Sequence, residues 1–169
     1  WHKAIVEFEY FKDYKIAVET YEQAFSLTPL DKIWSEQQLE IALSLGSTHN
    51  QMNEFEKAMK LFNLIKGEIR RKPLVRNPRI YLRYCYTLAR AYTRLNNYLD
   101  SIKLCKEGIN YCISEQSQYT FGELHYQIGY NYEMMEKWQE ASKYYQEARI
   151  IFRLSRNTSY DSIVNNKLE

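Results

Sequence analysis

Glycine and proline are scarce, with five and three residues in a chain of 169. That leaves little material for tight hairpin turns or for a Gly-rich phosphate cradle. No G-x-S-x-G, Gly-rich phosphate loop or H-E-x-x-H run is present, which removes the commonest catalytic signatures. Cysteine occurs three times and never as C-x-x-C. Cys85, Cys105 and Cys112 therefore read as buried thiols in a reducing cytosol, and not as a disulfide framework. The histidines are His2, His49 and His125, too scattered for a metal site, and no cofactor is expected. Charges nearly cancel, leaving +2, too little to attract nucleic acid or a membrane by bulk electrostatics. No apolar run reaches the ~18 residues of a membrane-spanning helix, and no signal-peptide pattern is present.

What the chain does have is aromatic bulk, including sixteen tyrosines, set at helical spacing. The most regular stretch runs from Leu124 to Phe152. Its first half places His125, Ile128–Gly129 and Tyr132 on one helical face. Its second half places Trp138, Ala141, Tyr145 and Ala148 on another, after a polar turn at Glu136–Lys137. Gly129 and Ala141 are small, as two closely crossing antiparallel helices require; Ile128, Tyr132, Trp138 and Tyr145 are expected to fill the groove around them. Three upstream stretches repeat the pattern: Trp1, Ala4–Ile5, Phe8, Tyr14, Ala17, Tyr21; then Ala42, Leu45–Gly46, His49, Phe55, Ala58, Phe62; then Cys85, Leu88–Ala89, Tyr92, Tyr98, Ser101, Cys105. In all four, the small residue of the second helix follows the last slot of the first by nine residues. An aromatic stands three before it each time: Tyr14, Phe55, Tyr98, Trp138.

This register resembles the tetratricopeptide (TPR) signature, which pairs a W-x₂-L-G-x₂-Y helix with an A-x₃-F helix. The fold it implies is all-α, a TPR-type right-handed superhelix of four antiparallel helix pairs plus a C-terminal closing helix. One domain is expected over 1–169, with repeats at about 1–30, 35–72, 78–115 and 118–154 and the closing helix at about 158–168. The third helix is expected to begin near Lys32–Ser35. Asn77 followed by Pro78 reads as an N-cap and first-turn proline, Ser117 as a later N-cap, and Asn157 or Ser159 as the cap of the closing helix. Trp1 fills a slot with no helical turn before it, so the chain is expected to be a piece of a longer protein. Corresponding slots lie 41, 43 and 40 residues apart, longer than the usual repeat of about 34. Long-helix repeats of this kind resemble the C-terminal peptide-sensing domains of Gram-positive regulators of the Rgg, Rap, NprR, PlcR and PrgX group.

In such a stack the first helix of each pair lines a concave groove, and the groove residues lie beside the packing slots. That selects Arg83, Tyr86, Thr87, Arg90 and Arg94 on one helix. It selects Tyr126, Gln127, Tyr130 and Glu133, with Glu123 and Met134, on the next first helix, and Asn50 and Gln51, with Glu40, Leu43 and Ser47, on the one before. In the peptide-groove reading the arginines hold a carboxylate, the amides bond a peptide backbone and the tyrosines pack its side chains. The plainer alternative pairs Arg90 or Arg94 with Glu133 or Glu123. The positions that clamp chaperone C-termini in other TPR domains hold His2 with Val6, or Leu43 with Ser47, then Thr87, then Glu123 with Gln127. They do not match, which sets that role aside.

The resemblance implies a non-enzymatic peptide-binding domain of a cytoplasmic transcription regulator, acting in quorum sensing. The second reading is a general protein–protein interaction scaffold without a small peptide ligand. The basic run Arg70, Arg71, Lys72, Arg76, Arg79 reads as a solvated loop, so this fragment is expected not to bind nucleic acid directly, and no membrane partner is expected. Long helices also leave apolar edge, which points to a homodimer.

Overall fold

The computed structural model describes residues 13–27, 34–71 and 77–168. The readings placed on residues 1–12, Lys72 and Arg76 lie outside these. The described residues form eight α-helices and no strand: α1 Tyr14–Ser26, α2 Glu36–Gln51, α3 Phe55–Arg71, α4 Pro78–Arg94, α5 Tyr98–Ser114, α6 Phe121–Met134, α7 Trp138–Leu154 and α8 Thr158–Leu168. None is long and apolar enough to cross a membrane.

Local chemistry explains where the helices begin. The Asp13 carboxylate accepts from the Ile16 N–H at 3.1 Å and caps α1. Ser35 and Gln38 form a reciprocal capping box at the start of α2, with bonds of 3.2 and 2.7 Å. Each such cap is worth about 1 kcal/mol. Asn77 Oδ1 accepts from the Arg79 N–H at 3.1 Å, and Pro78, which has no N–H to leave unpaired, opens α4. Asn157 caps α8 through the Tyr160 N–H. Ser117 does not cap α6: its hydroxyl accepts from the Tyr119 N–H inside the preceding turn, and the helix starts after Thr120.

Five helix ends share one stop. A residue with φ between 50° and 62° (Asn53, Asn96, Gln116, Glu136, Arg156) follows the helix. The next N–H then reaches back five residues, as Glu54 to His49, Asn97 to Tyr92 and Lys137 to Tyr132, at 2.8–2.9 Å. This is the Schellman arrangement, which satisfies the last carbonyls of a helix. It is built here without a single glycine.

The chain divides into two compact units, 1–87 and 88–169, with the boundary inside α4. In the first, α1 packs on α2 and α2 on α3. Helix α2 is buried on nearly every side, from Gln38 and Leu39 through Ile41 to Gly46 and on to Asn50. In the second unit α5 packs on α6, α6 on α7 and α7 on α8. The predicted slots are the core of both: Ala17, Tyr21, Ala42, Ala58, Phe62, Ala89, Ser101, Cys105, Ile128, Ala141, Tyr145 and Ala148 are all buried. Helix crossings trade size between partners. A Cβ on Gly46 would lie 3.0 Å from the Phe62 ring, and one on Gly129 would lie 2.8 Å from the Tyr145 ring. Helix α8 closes the second unit, burying Val164 and stacking Tyr160 on Phe152 with ring centroids 4.8 Å apart. Trp138 departs from expectation, being 64% exposed. As the first residue of α7 it has no preceding turn to lie over, and helical side chains lean toward the preceding turn.

Candidate functional site

In the second unit the C-terminal half of α4, the start of α5 and the inner face of α6 enclose an open pocket of about 390 Å³. Arg90, Thr93 and Arg94 come from α4, Asn96 and Tyr98 from the turn into α5, and Tyr126, Gln127, Tyr130 and Met134 from α6. The intervals 90, 93/94 and 126/127, 130, 134 keep one face of each helix toward the cavity. The lining carries two guanidinium groups and no carboxylate, so it favours an anionic group. The volume is within the usual range for a small ligand, about 300–1,000 Å³.

Behind this wall lies a buried polar chain. Gln127 Nε2 donates to Thr93 Oγ1 at 2.7 Å, and Thr93 Oγ1 lies 2.7 Å from Asn131 Oδ1. Asn131 Nδ2 donates to Ser101 Oγ at 2.8 Å, and Ser101 donates to the Ala89 carbonyl at 2.8 Å. Ser101 and Asn131 are both 0% exposed, so every group must find its partner inside. Ser101 occupies the slot that holds Ala17, Ala58 and Ala141 in the other repeats. Its hydroxyl ties α5 to both α4 and α6.

On the far side of the pocket tyrosines a second chain joins α6, α7 and α8. The Tyr145 hydroxyl donates to Glu133 Oε2, and Lys167 donates to Glu133 Oε1 at 2.7 Å. The Lys167 ammonium also sits 5.5 Å over the Tyr130 ring, and the Tyr126 and Tyr145 rings are 5.4 Å apart. Burial, and then the bond to Glu133, push the Tyr145 phenol above its ordinary value. The bond to Glu133 likewise holds Lys167 above its ordinary value. Burial raises Tyr126.

Of the residues selected by spacing, Arg90, Arg94, Tyr126, Gln127 and Tyr130 meet in this pocket. The others do not all face solvent. Glu133 is engaged by Tyr145 and Lys167, which corrects its assignment as the partner of Arg90 or Arg94. Arg83, in the first unit, donates to Glu40 Oε2 at 2.5 Å and to Ser44 Oγ at 2.8 Å. Thr87 turns its hydroxyl back to the Arg83 carbonyl at 2.8 Å, and Asn50 is 3% exposed, so neither presents a polar group to a groove. Tyr86 and Gln51 are half-buried in the first unit. Glu123 belongs to a different, smaller cavity with Tyr119, Gly122 and Phe152, where burial pushes its carboxyl up.

The thiols are buried as expected. Burial, helped by Glu123, pushes Cys112 up to about 11, which keeps it a thiol. His125 Nδ1 donates to the Phe121 carbonyl at 2.8 Å and His49 Nδ1 lies 2.6 Å from Glu54. Both rings are packing residues with a polar tie. Sequence reasoning missed Thr93 and Asn131. The signal available was Ser101, a hydroxyl where three repeats have alanine.

The family model described as the RNPP family C-terminal domain matches residues 1–169. No curated protein matches significantly. Among solved structures, the chain is similar to PlcR of Bacillus thuringiensis in complex with the peptide PapR7 and DNA, with a TM-score of 0.83 and 19% identity over 95% of this chain and 57% of that one. It is also similar to a signal-transduction ATPase with a tetratricopeptide repeat sensor from Pyrococcus horikoshii, with a TM-score of 0.80 and 16% identity over 99% of this chain and 25% of that one. Aspartyl phosphate phosphatase F from Bacillus subtilis follows at a TM-score of 0.74 and 17% identity, over 91% and 39%. These likenesses establish a helical-repeat fold. The chain spans 57% of the length of that PlcR structure.

Proposed function

We propose, from the premise that this chain belongs to the RNPP family as its C-terminal domain, that it is the part of a bacterial regulator that senses a short peptide. The observation that carries this reading is the convergence of Arg90, Arg94, Tyr126, Gln127 and Tyr130 on one pocket. The two guanidinium groups suit a carboxylate, above all a peptide C-terminus, because forked N–H donors match its two oxygens. Tyr126 and Tyr130 offer apolar faces for side chains, and Gln127 offers an amide for the backbone. The PlcR structure holds a peptide and DNA, and kinship with it supports the choice of a peptide over other anions. In this reading the domain does no chemistry of its own, works in the cytoplasm and as a homodimer, and leaves DNA contact to another segment of the regulator.

The test is selection from a random heptapeptide library, followed by calorimetry on the selected peptide as free acid and as C-terminal amide. Amidation should weaken binding by roughly 1.5–3 kcal/mol, the scale of a charge-assisted hydrogen bond. Equal affinities would remove the carboxylate role. Failure to select any peptide, with capture of folded proteins instead, would favour the interaction scaffold. Gel-shift titration of the domain against promoter and scrambled duplexes should show no selective retention.

A further inference from the structure

The smaller cavity around Glu123 is opposite in charge to the arginine pocket. It holds about 220 Å³ between the start of α6 and the end of α7, where Thr120, Gly122 and Glu123 face Ile151, Phe152 and Ser155. The walls come close because residue 122 is glycine: a Cβ there would lie 2.6 Å from the Phe152 ring. Glu123 brings the charge, and no basic residue stands in the lining. An acidic residue in a first helical turn is ordinary, since a helix N-terminus favours negative charge. Asp100 and Glu140 hold the same third position in α5 and α7, and both are exposed. Glu123 is instead drawn into a cavity. Burial pushes its carboxyl up, its own backbone N–H offsets only part of that, and no cation among the described residues draws it back down. A half-buried carboxylate without a cation carries a desolvation cost that an incoming cation offsets.

The position along α6 says which ligand this is. Glu123 precedes Gln127 by four residues and Tyr130 by seven, so it shares their side of the helix. That side meets a carboxylate cavity at its start and the two-guanidinium pocket toward its end. About 10 Å of helix axis separates Glu123 from Tyr130, a span that an extended peptide covers in about three residues. The cavity is smaller than the usual site for a whole small ligand, about 300–1,000 Å³. It suits one terminal group or one side chain of a longer molecule.

We propose that the Glu123 cavity is a cation subsite, taking an ammonium or guanidinium group of the same peptide whose carboxylate is held at Arg90 and Arg94. The proposal rests on the peptide-sensing reading above and adds a second charge to it, so that the ligand is dipolar. Two groups can supply the cation: the amino end of the peptide, or a lysine or arginine side chain. Glu123 meets either with a charge-assisted hydrogen bond.

Calorimetry on the library-selected peptide separates the two sources. Acetylation of the amino end removes the first, and norleucine in place of each lysine or arginine removes the second. One of these changes should weaken binding to the parent protein about tenfold or more, the scale of a lost charge-assisted hydrogen bond. The same change should have no effect on binding to Glu123→Gln. That variant keeps the shape of the side chain, and C-terminal amidation should weaken its binding as much as the parent's, because the arginine pocket is intact. Equal loss in the parent and in Glu123→Gln, or no loss from either change, would overturn the proposal. If no peptide is selected at all, the sensing reading fails, and the subsite is decided by nuclear magnetic resonance. n-Butylamine is titrated into the ¹⁵N-labelled domain, with n-butanol as the neutral control. The amine alone should shift the backbone amides of Thr120 and Gly122, and Glu123→Gln should abolish the shifts. Absence of an amine-specific shift in the parent, or shifts that persist in Glu123→Gln, would overturn the proposal.

Discussion

Arg83 and Arg90 both belong to α4 but fall in different units, and their surroundings differ in kind. Glu40 and Ser44 of α2 hold the Arg83 guanidinium at 2.5 and 2.8 Å. Arg90 lines a pocket with no carboxylate in its wall. The two crossings differ in the same way. In the first unit Gly46 meets a phenylalanine, an apolar plug. In the second, Gly129 meets a tyrosine whose hydroxyl continues to Glu133 and Lys167. The same kind of crossing is thus filled once by an apolar ring and once by a ring whose hydroxyl joins a polar chain. The difference lies in which side chains reach across from neighbouring helices, not in the helices themselves.

The largest expected effect comes from breaking the crossing. Gly129→Leu should cost about 1–3 kcal/mol or more, because the Tyr145 ring already lies 2.8 Å from an ideal Cβ and overpacked cores pay in strain. Gly67→Ala should cost nothing and gain up to about 1 kcal/mol, since no atom lies within 4 Å of that Cβ and alanine favours the helix. Thermal melts of the two variants separate crossing from spacer. Next come the two arginines. Arg90→Ala should weaken the selected peptide by roughly 1.5–3 kcal/mol with little change in melting temperature. Arg83→Ala should lower stability by up to about 1 kcal/mol and leave affinity alone. Calorimetry and melts on both variants sharpen the contrast, and an affinity loss confined to Arg83→Ala would reverse it.

Converting the second crossing to the first is a smaller perturbation. Tyr145→Phe should cost about 1 kcal/mol at neutral pH, the net worth of one hydrogen bond. Its pH signature is more specific. Tyr145 and Lys167 both titrate above their ordinary values of 10.0 and 10.5. A raised folded value means the stability is fully present below the unfolded value and is lost as pH climbs through the folded one. The melting temperature of the parent should therefore fall above about pH 10, and Glu133→Gln should fall less steeply. Smallest of all is Glu123→Gln. Burial raises the Glu123 carboxyl, so its charged form opposes folding at pH 7 and the parent gains stability as pH drops through that raised value. The glutamine variant should be slightly more stable at neutral pH and should lack this acid gain.

The helices, their pairing and most of the core were legible before any coordinates. Small and large residues recur with the periodicity of two crossing helices, and burial enforces that periodicity at every repeat. Asn77–Pro78 and Asn157 were legible as caps because their chemistry is local. The stops at Gln116 and Arg156 were not, since neither residue type favours positive φ and the turn is imposed by the packed helices on either side.

By itself, then, the sequence determined a repeated helix-pair fold and the list of side chains that flank each packing slot, because both follow from helical geometry along a single chain. Only the tertiary structure decided which of those side chains spend their charge on a neighbour. Glu40 reaches Arg83, Glu133 goes to Tyr145 and Lys167, and Gln127 bonds Thr93, which in turn meets Ser101 and Asn131. The physical reason is that a hydrogen bond between two helices depends on their separation and relative rotation to within about half an ångström, and no periodicity within one helix encodes that.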